Sequence, residues 1–235
     1  MSRPSLKRSR EIVTENGELA KSISLALHNV LKPAGFRKRA NSFNRSVQDG
    51  LVHHVSVQLG SFDPSGKHAV PGLVPDLYGR YRVNLGVYVP EMNRTASPRS
   101  TWINDYNCQL RWGLGDFVPG NFDQWWDLRD RLSVEEVSRV LAADALPHLD
   151  QFDSAERVLA AWEEHGPRGF GPITPKAAAL DVADLLIARN QRNDAERLLK
   201  SYVDEVSRAD HAGHKEYLRK YLAERDFASL AETLQ

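Results

Sequence analysis

Two segments of strict alternation constrain this chain more than anything else in it. In LVHHVSVQL (51–59), Leu51, His53, Val55, Val57 and Leu59 fall on one side of an extended chain, and Val52, His54, Ser56 and Gln58 fall on the other. In RYRVNLGVYVP, Tyr81, Val83, Leu85, Val87 and Val89 alternate with Arg80, Arg82, Asn84, Gly86 and Tyr88. A period of two with one apolar side belongs to strands covered on one face, the pattern of an antiparallel sheet. FRKRANSFNR before them and NCQLRWG after them repeat the pattern more weakly, the latter with Cys108, Leu110 and Trp112 set against Gln109 and Arg111. WWDL at 125–128 offers one more short strand. The expectation is an antiparallel meander of about four to five strands.

Around these strands the period becomes helical. Leu19, Ile23, Leu27, Val30 and Leu31 share one helical face, with Pro33 and Gly35 as stop signals, which predicts a helix over 18–32. From Ser133 onward the pattern is helical. Ser133-Val-Glu-Glu136 has the form of a capping box ahead of Val137 and Leu141, and Asp153-Ser-Ala-Glu156 opens a second helix with Leu159 and Trp162. HGPRGFGPITP (165–175) reads as a linker, because glycine and proline break both periods. Thr174 then caps a helix with Pro175 at its first position and Leu180, Ala183, Leu186 and Ile187 on its face. Asn193-Asp-Ala-Glu196 caps the next, with Ala195, Leu198, Leu199, Tyr202 and Val206. A third carries Tyr217, Leu218, Tyr221 and Leu222. The short turn RNQRND implies an antiparallel helical hairpin. The fold class expected is α+β: a domain over 1–165 with helices on one face of the sheet, followed by a helical C-terminal region over 174–235.

Composition narrows the class further. The chain has 235 residues, 41% hydrophobic and 26% charged, which excludes wholesale disorder and fibrous repeats. No run approaches the roughly 18 apolar residues of a membrane span. A lone Cys108 has no intrachain partner, and MSRPSLKRSR lacks the apolar stretch of a secretion signal, so the expected location is the cytoplasm. The 31 basic and 31 acidic side chains cancel, but not evenly. Residues 1–50 hold ten basic against four acidic groups, a surplus of six that the remainder balances. A local basic site is therefore compatible with zero net charge, whereas a chain-wide field for nucleic acid is not.

LKPAGFRKRANSFNR (31–45), HHVSVQLG (53–60), RVNLGVYVPE (82–91), YNCQLRWGLG (106–115) and the WWDL segment, in that order, resemble the bacterial family known as domain of unknown function 4304, over about 15–165. The resemblance implies a bacterial α+β domain and brings no catalytic residues with it. LDVADLLIARNQRNDAERLLKSYV (180–203) is fainter in its likeness to a tetratricopeptide helix pair, with Ala183 and Leu186 facing Ala195 and Leu199; one pair is too little for a solenoid.

The residues with chemistry gather on the polar side of the predicted sheet. His54, Ser56, Gln58, Arg82, Asn84, Tyr88, Gln109 and Arg111 point one way if the strands pair in order, a donor-rich face suited to phosphate, carboxylate or an RNA backbone. The plain alternative is a solvated sheet face. Cys108, in step with Leu110 and Trp112, is expected on the covered face as a small buried hydrophobe, and His53 as a core histidine. His211 and His214, or His148 with Asp150 and Asp153, fall short of a zinc ligand set, so no metal and no cofactor is expected. Gly113-Leu-Gly115 lacks the Lys-Ser/Thr of a phosphate loop, and Asn93-Arg-Thr95 matters as a glycosylation acceptor only behind a secretion signal. Arg3 to Arg10 and Arg37-Lys38-Arg39, with Phe36 and Phe43 nearby, are the residues that nucleic acid would use. The long connections 61–76 and 91–107 exceed ordinary hairpin loops, which marks them as functional or mobile, and in a meander they lie at opposite ends of the sheet rather than over one pocket. Trp125 becomes a partner anchor if exposed.

These features favour a non-enzymatic binding module for a protein or peptide, using the sheet face, the helical C-terminus or both. The alternative is a phosphate- or phosphodiester-handling enzyme, or an RNA-binding protein, working through His54, Arg82 and Arg111. Nucleic acid is the less favoured partner, and no membrane contact is expected.

Overall fold

A computed structural model describes residues 6–60, 77–92, 101–120, 123–172, 178–208 and 212–234, with side chains from residue 15 onward. Helix α1 runs Leu6–Leu31. It begins ahead of the predicted start at 18. It ends in a turn where the Phe36 amide donates to the Leu31 carbonyl at 3.1 Å. Ala20, Ile23, Leu27 and Leu31 are its buried stripe.

The sheet is antiparallel throughout, in the order β1 (Arg37–Arg39), β2 (Ser42–Ser46), β3 (Val52–Leu59), β4 (Arg80–Tyr88) and β5 (Leu110–Gly113). A two-residue strand β6 (Trp126–Asp127) pairs with β4 beyond the end of β5. FRKRANSFNR is thus two strands rather than one, folded at Ala40 and Asn41, where Ala40 takes φ 53°. Chain order equals spatial order, as a meander requires. Phe43, Val55, Val57, Tyr81, Val83, Leu85, Val87, Leu110 and Trp112 face the helices and are buried.

The helical layer begins with α2 (Arg131–Val140), continuing through a π turn into α3 (Leu146–Leu149), and then α4 (Ala155–His165). The caps differ from the sequence expectation. Asp130, not Ser133, caps α2 by accepting the Leu132 amide at 3.0 Å. Ser133 instead turns inward and donates to the carbonyls of Asp127 and Asp130. Ser154, not Asp153, caps α4. In both cases the sheet or the previous helix decides where the chain can turn. The expected linker is packed where it is described: Gly166–Phe170 is a 3-10 turn with Phe170 fully buried against Trp162. Thr174 and Pro175 lie outside the described residues.

Helices α5 (Ala178–Ala188) and α6 (Arg192–Ser207) form the hairpin expected, followed by α7 (Ala212–Ala223) and the short α8 (Ala228–Ala231). Gln191 precedes α6, so Asn193 lies inside its first turn. Ala183, Leu186, Ala195 and Leu199 are buried, and small alanines on facing helices bring the axes close. Arg225 of the turn after α7 pairs with Asp184 of α5, and its guanidinium stacks 3.7 Å from the Tyr221 ring centroid. Tyr221 Oη donates to Asp184 Oδ1 at 2.7 Å.

Buried residues from Ala20 to Leu234 belong to one continuous apolar cluster. A polar strap reinforces it at the β2–β3 turn. Asp49 Oδ2 accepts the Ala155 amide at 3.2 Å and Arg189 Nη2 at 2.5 Å, tying that turn to α4 and to the end of α5. The Ala155 amide and Arg189 hold the Asp49 carboxyl below its usual range. Among the described residues no helix is long and apolar enough to cross a membrane.

Candidate functional site on the polar sheet face

The register places His54, Ser56, Gln58, Arg82, Asn84, Tyr88 and Arg111 on the face opposite the helices, joined by Ser42 and Asn44 of β2. It is not the open, solvated face that alternation suggests. His54, Asn84 and Tyr88 are buried. The cover is the chain from 101 to 109, which lies across the strands.

That cover explains most of the polar residues. Ile103 and Cys108 pack with Tyr88 and the partly buried Val52 in a small second apolar cluster. Cys108 is therefore buried on this face and not on the helix side, because it precedes β5 and its loop backbone has left the strand alternation. Gly86 beneath it leaves the room: a Cβ there would stand 2.7 Å from Cys108 Cβ. Burial pushes the Cys108 thiol far above its ordinary pKa, so it is no nucleophile. Arg111 donates from Nε to the Cys108 carbonyl at 2.7 Å and from Nη2 to the Tyr106 carbonyl at 2.8 Å. Gln109 accepts the Val89 amide at 2.9 Å. His54 shares a 2.9 Å hydrogen bond between Nδ1 and Asn44 Oδ1, and burial lowers its pKa to about 4, so its ring is neutral.

At the other end of the strands Gln58 Oε1 accepts from Arg82 Nε and from Asn84 Nδ2, both at 2.9 Å. Arg82 also pairs with Asp123 at 3.1 Å and lies 5.2 Å over the Trp125 ring. Trp125 is half-buried under this guanidinium, while Trp126 is buried against Tyr81 and donates to Glu136 at 2.8 Å. Both arginines expected to meet an anion are thus engaged within the fold.

The space that remains lies at the β1–β2 end of the same face. A cleft of about 430 Å³, open to solvent, is lined by Arg39, Asn41, Ser42, Ser56, Trp102 and Asn104, with Ala40 and Val57 completing its walls. Trp102 Nε1 donates to Ser42 Oγ at 3.0 Å and so holds one wall in place. Arg39, of the basic run named for nucleic acid, lines this cleft, and of His54, Gln58, Arg82, Asn84, Tyr88, Gln109 and Arg111 none does. Ser56, noted only as part of the face, does. Arg39 was visible as part of a basic run and Trp102 as an aromatic in a long connection, but no spacing links them; only the hairpin and the crossing loop bring them together. Beside the cleft, Arg37, Lys38 and Arg39 are all exposed, and among the described residues none meets a carboxylate.

The face toward the helices carries a different set. Arg45 donates to His53 Nδ1 at 2.7 Å and to the Ala34 carbonyl at 3.1 Å, and pairs with Asp150. A guanidinium only donates, so His53 Nδ1 accepts and the ring proton sits on Nε2, 2.8 Å from the Phe152 carbonyl. Burial lowers the His53 pKa to about 4. It is the core histidine expected. Among the described residues there is no group of three or more His, Cys, Asp or Glu placed to hold a metal. His148 packs among Trp112, Phe117 and Phe152, His214 shares a 2.8 Å hydrogen bond with Tyr202, and His211 lies outside the described residues. Asn93 to Thr95 and 61–76 also lie outside them.

Fold and face together define an α+β protein whose antiparallel sheet is helix-packed on one side and crossed by a loop on the other. Residues 72–151 match the family described as domain of unknown function (DUF4304), the family that the ordered motifs resemble. The matched stretch holds β4 through α3 and is narrower than the motif span of about 15–165. No curated protein and no solved structure matches the chain.

Proposed function

We propose that this protein is a non-enzymatic binding module whose recognition surface is the cleft between the β1–β2 turn, β3 and Trp102. The observation that carries the reading is its lining. Amide and hydroxyl groups from Asn41, Ser42, Ser56 and Asn104 surround one aromatic, with one cation at the rim. Such a lining can recognise a peptide backbone and one anchoring side chain, as interfaces rich in Trp and Arg do. Its lining holds no carboxylate, histidine or cysteine beside the two serines. The sheet-face arginines that an enzymatic or RNA-binding reading needs are occupied by Gln58, Asp123 and two backbone carbonyls. The lone buried cysteine fits a reducing, cytoplasmic setting, and the family resemblance supports a bacterial one.

A displayed random-peptide library selected on the protein tests this reading. Enriched peptides should bind the parent protein and lose at least tenfold in affinity with Ser56→Trp, which fills the cleft, and with Trp102→Ala. Peptides that bind all three proteins equally would place recognition elsewhere and overturn the proposal.

A further inference from the structure

We infer that the segment bound is acidic and extended, and that it adds as a further strand to the open edge of β1. This rests on the cleft reading above and names the chemistry of its partner.

The two edges of the sheet differ. At β5 the chain after the Gly166–Phe170 turn closes in: a Cβ on Gly171 would lie 1.9 Å from the Arg111 carbonyl oxygen, so backbone already packs there. At β1 all three residues are exposed. The register decides which groups point outward. With only Ala40 and Asn41 between the strands, the closing pair Arg39 and Ser42 must exchange both hydrogen bonds, and so must Arg37 and Asn44. Lys38 lies between them, and its amide and carbonyl point away from β2, one donor and one acceptor for an incoming strand.

The side chains set the sign of the partner. Arg37 and Arg39 project on the cleft side with Asn44 and Ser42, and Lys38 on the other. A second copy of β1 would bring like charges opposite one another, which disfavours self-pairing, whereas carboxylates at alternate positions would face the two arginines. At the Arg39 end such a strand reaches the cleft, where Trp102 can take the next side chain. A strand fits better than a nucleic acid, because the outward Lys38 carbonyl needs a donor. A peptide N–H supplies one and a phosphodiester does not.

Fluorescence anisotropy with a labelled peptide bearing glutamate at alternate positions, valine between, tests the inference. Affinity should fall at least tenfold with the charge-reversed Arg37→Glu/Arg39→Glu protein, whose circular dichroism and melting should match the parent. It should fall as much when the peptide backbone is N-methylated at alternate amides, which removes strand pairing and leaves the charges. An N-methylated peptide that binds equally well, a thymidine oligonucleotide that competes more strongly than the peptide, or absence of binding would each overturn it. Display-selected peptides that need Ser56 but carry no acidic residues would overturn the strand while leaving the cleft standing.

Discussion

His53 and His54 are adjacent in sequence and face opposite sides of the sheet, yet both are buried and both are held neutral, with pKa values of about 4. In the unfolded chain they titrate near 6.5, so the unfolded state binds more protons between those values and stability falls as pH drops through them. Between pH 7 and pH 5 each should withdraw about 2 kcal/mol. Urea midpoints across that range, compared with His53→Gln and His54→Gln, check this: the variants should start less stable and fall less steeply, and a flat parent profile would contradict the assignment. Gly86 is the second telling residue. Gly86→Ala pushes a methyl into Cys108 and should cost about 1–3 kcal/mol, lifting the 101–109 cover. A thiol reagent reports it directly, slow on native parent protein and faster on the variant. The alternation in sequence foretold that His53 is internal. It could not foretell the burial of His54, because the cover over that face comes from a loop whose path no local pattern encodes.

Among the elements, helix identity was legible wherever an apolar stripe recurs, since burial of that stripe is what holds the helix. Strand identity was legible for β3 and β4 for the same reason. Boundaries were not, because caps answer to where the neighbouring element leaves room: Ser133 and Asn193 are good cap residues, yet they sit inside their helices. The closure of the C-terminal helices depends on one partly buried group of charges. Asp184 and Arg225 are 11% and 22% exposed, and Tyr221 donates into the pair. Asp184→Ala removes the carboxylate that Arg225 holds most closely, while the Tyr221 hydroxyl keeps the Leu180 carbonyl as an acceptor, and should cost about 2–3 kcal/mol, read as a lower melting temperature. Asp184→Asn, which keeps an acceptor, should recover part of the loss.

At the scale of the molecule, the apolar cluster runs unbroken from α1 through the sheet to α8. Cooperative unfolding follows contiguous buried surface, so denaturation followed by tryptophan fluorescence and by far-ultraviolet circular dichroism should superimpose in a single transition. Two separated transitions would show that the sheet and the C-terminal helices fold apart. The chain's charge asymmetry also acquires a location. Part of the basic surplus of residues 1–50 stands at the exposed edge of β1, beside the cleft proposed for recognition. The sequence by itself determined the α+β class, the antiparallel meander, the helical hairpin and the internal His53, because each follows from a repeating pattern of buried and exposed residues along one element. Only the tertiary structure decided that the expected sheet-face arginines are already engaged, that Cys108 lies on the far face, and that a cleft opens between Arg39, Ser56 and Trp102. Those outcomes depend on contacts between residues far apart in the chain, which periodicity within a segment cannot specify.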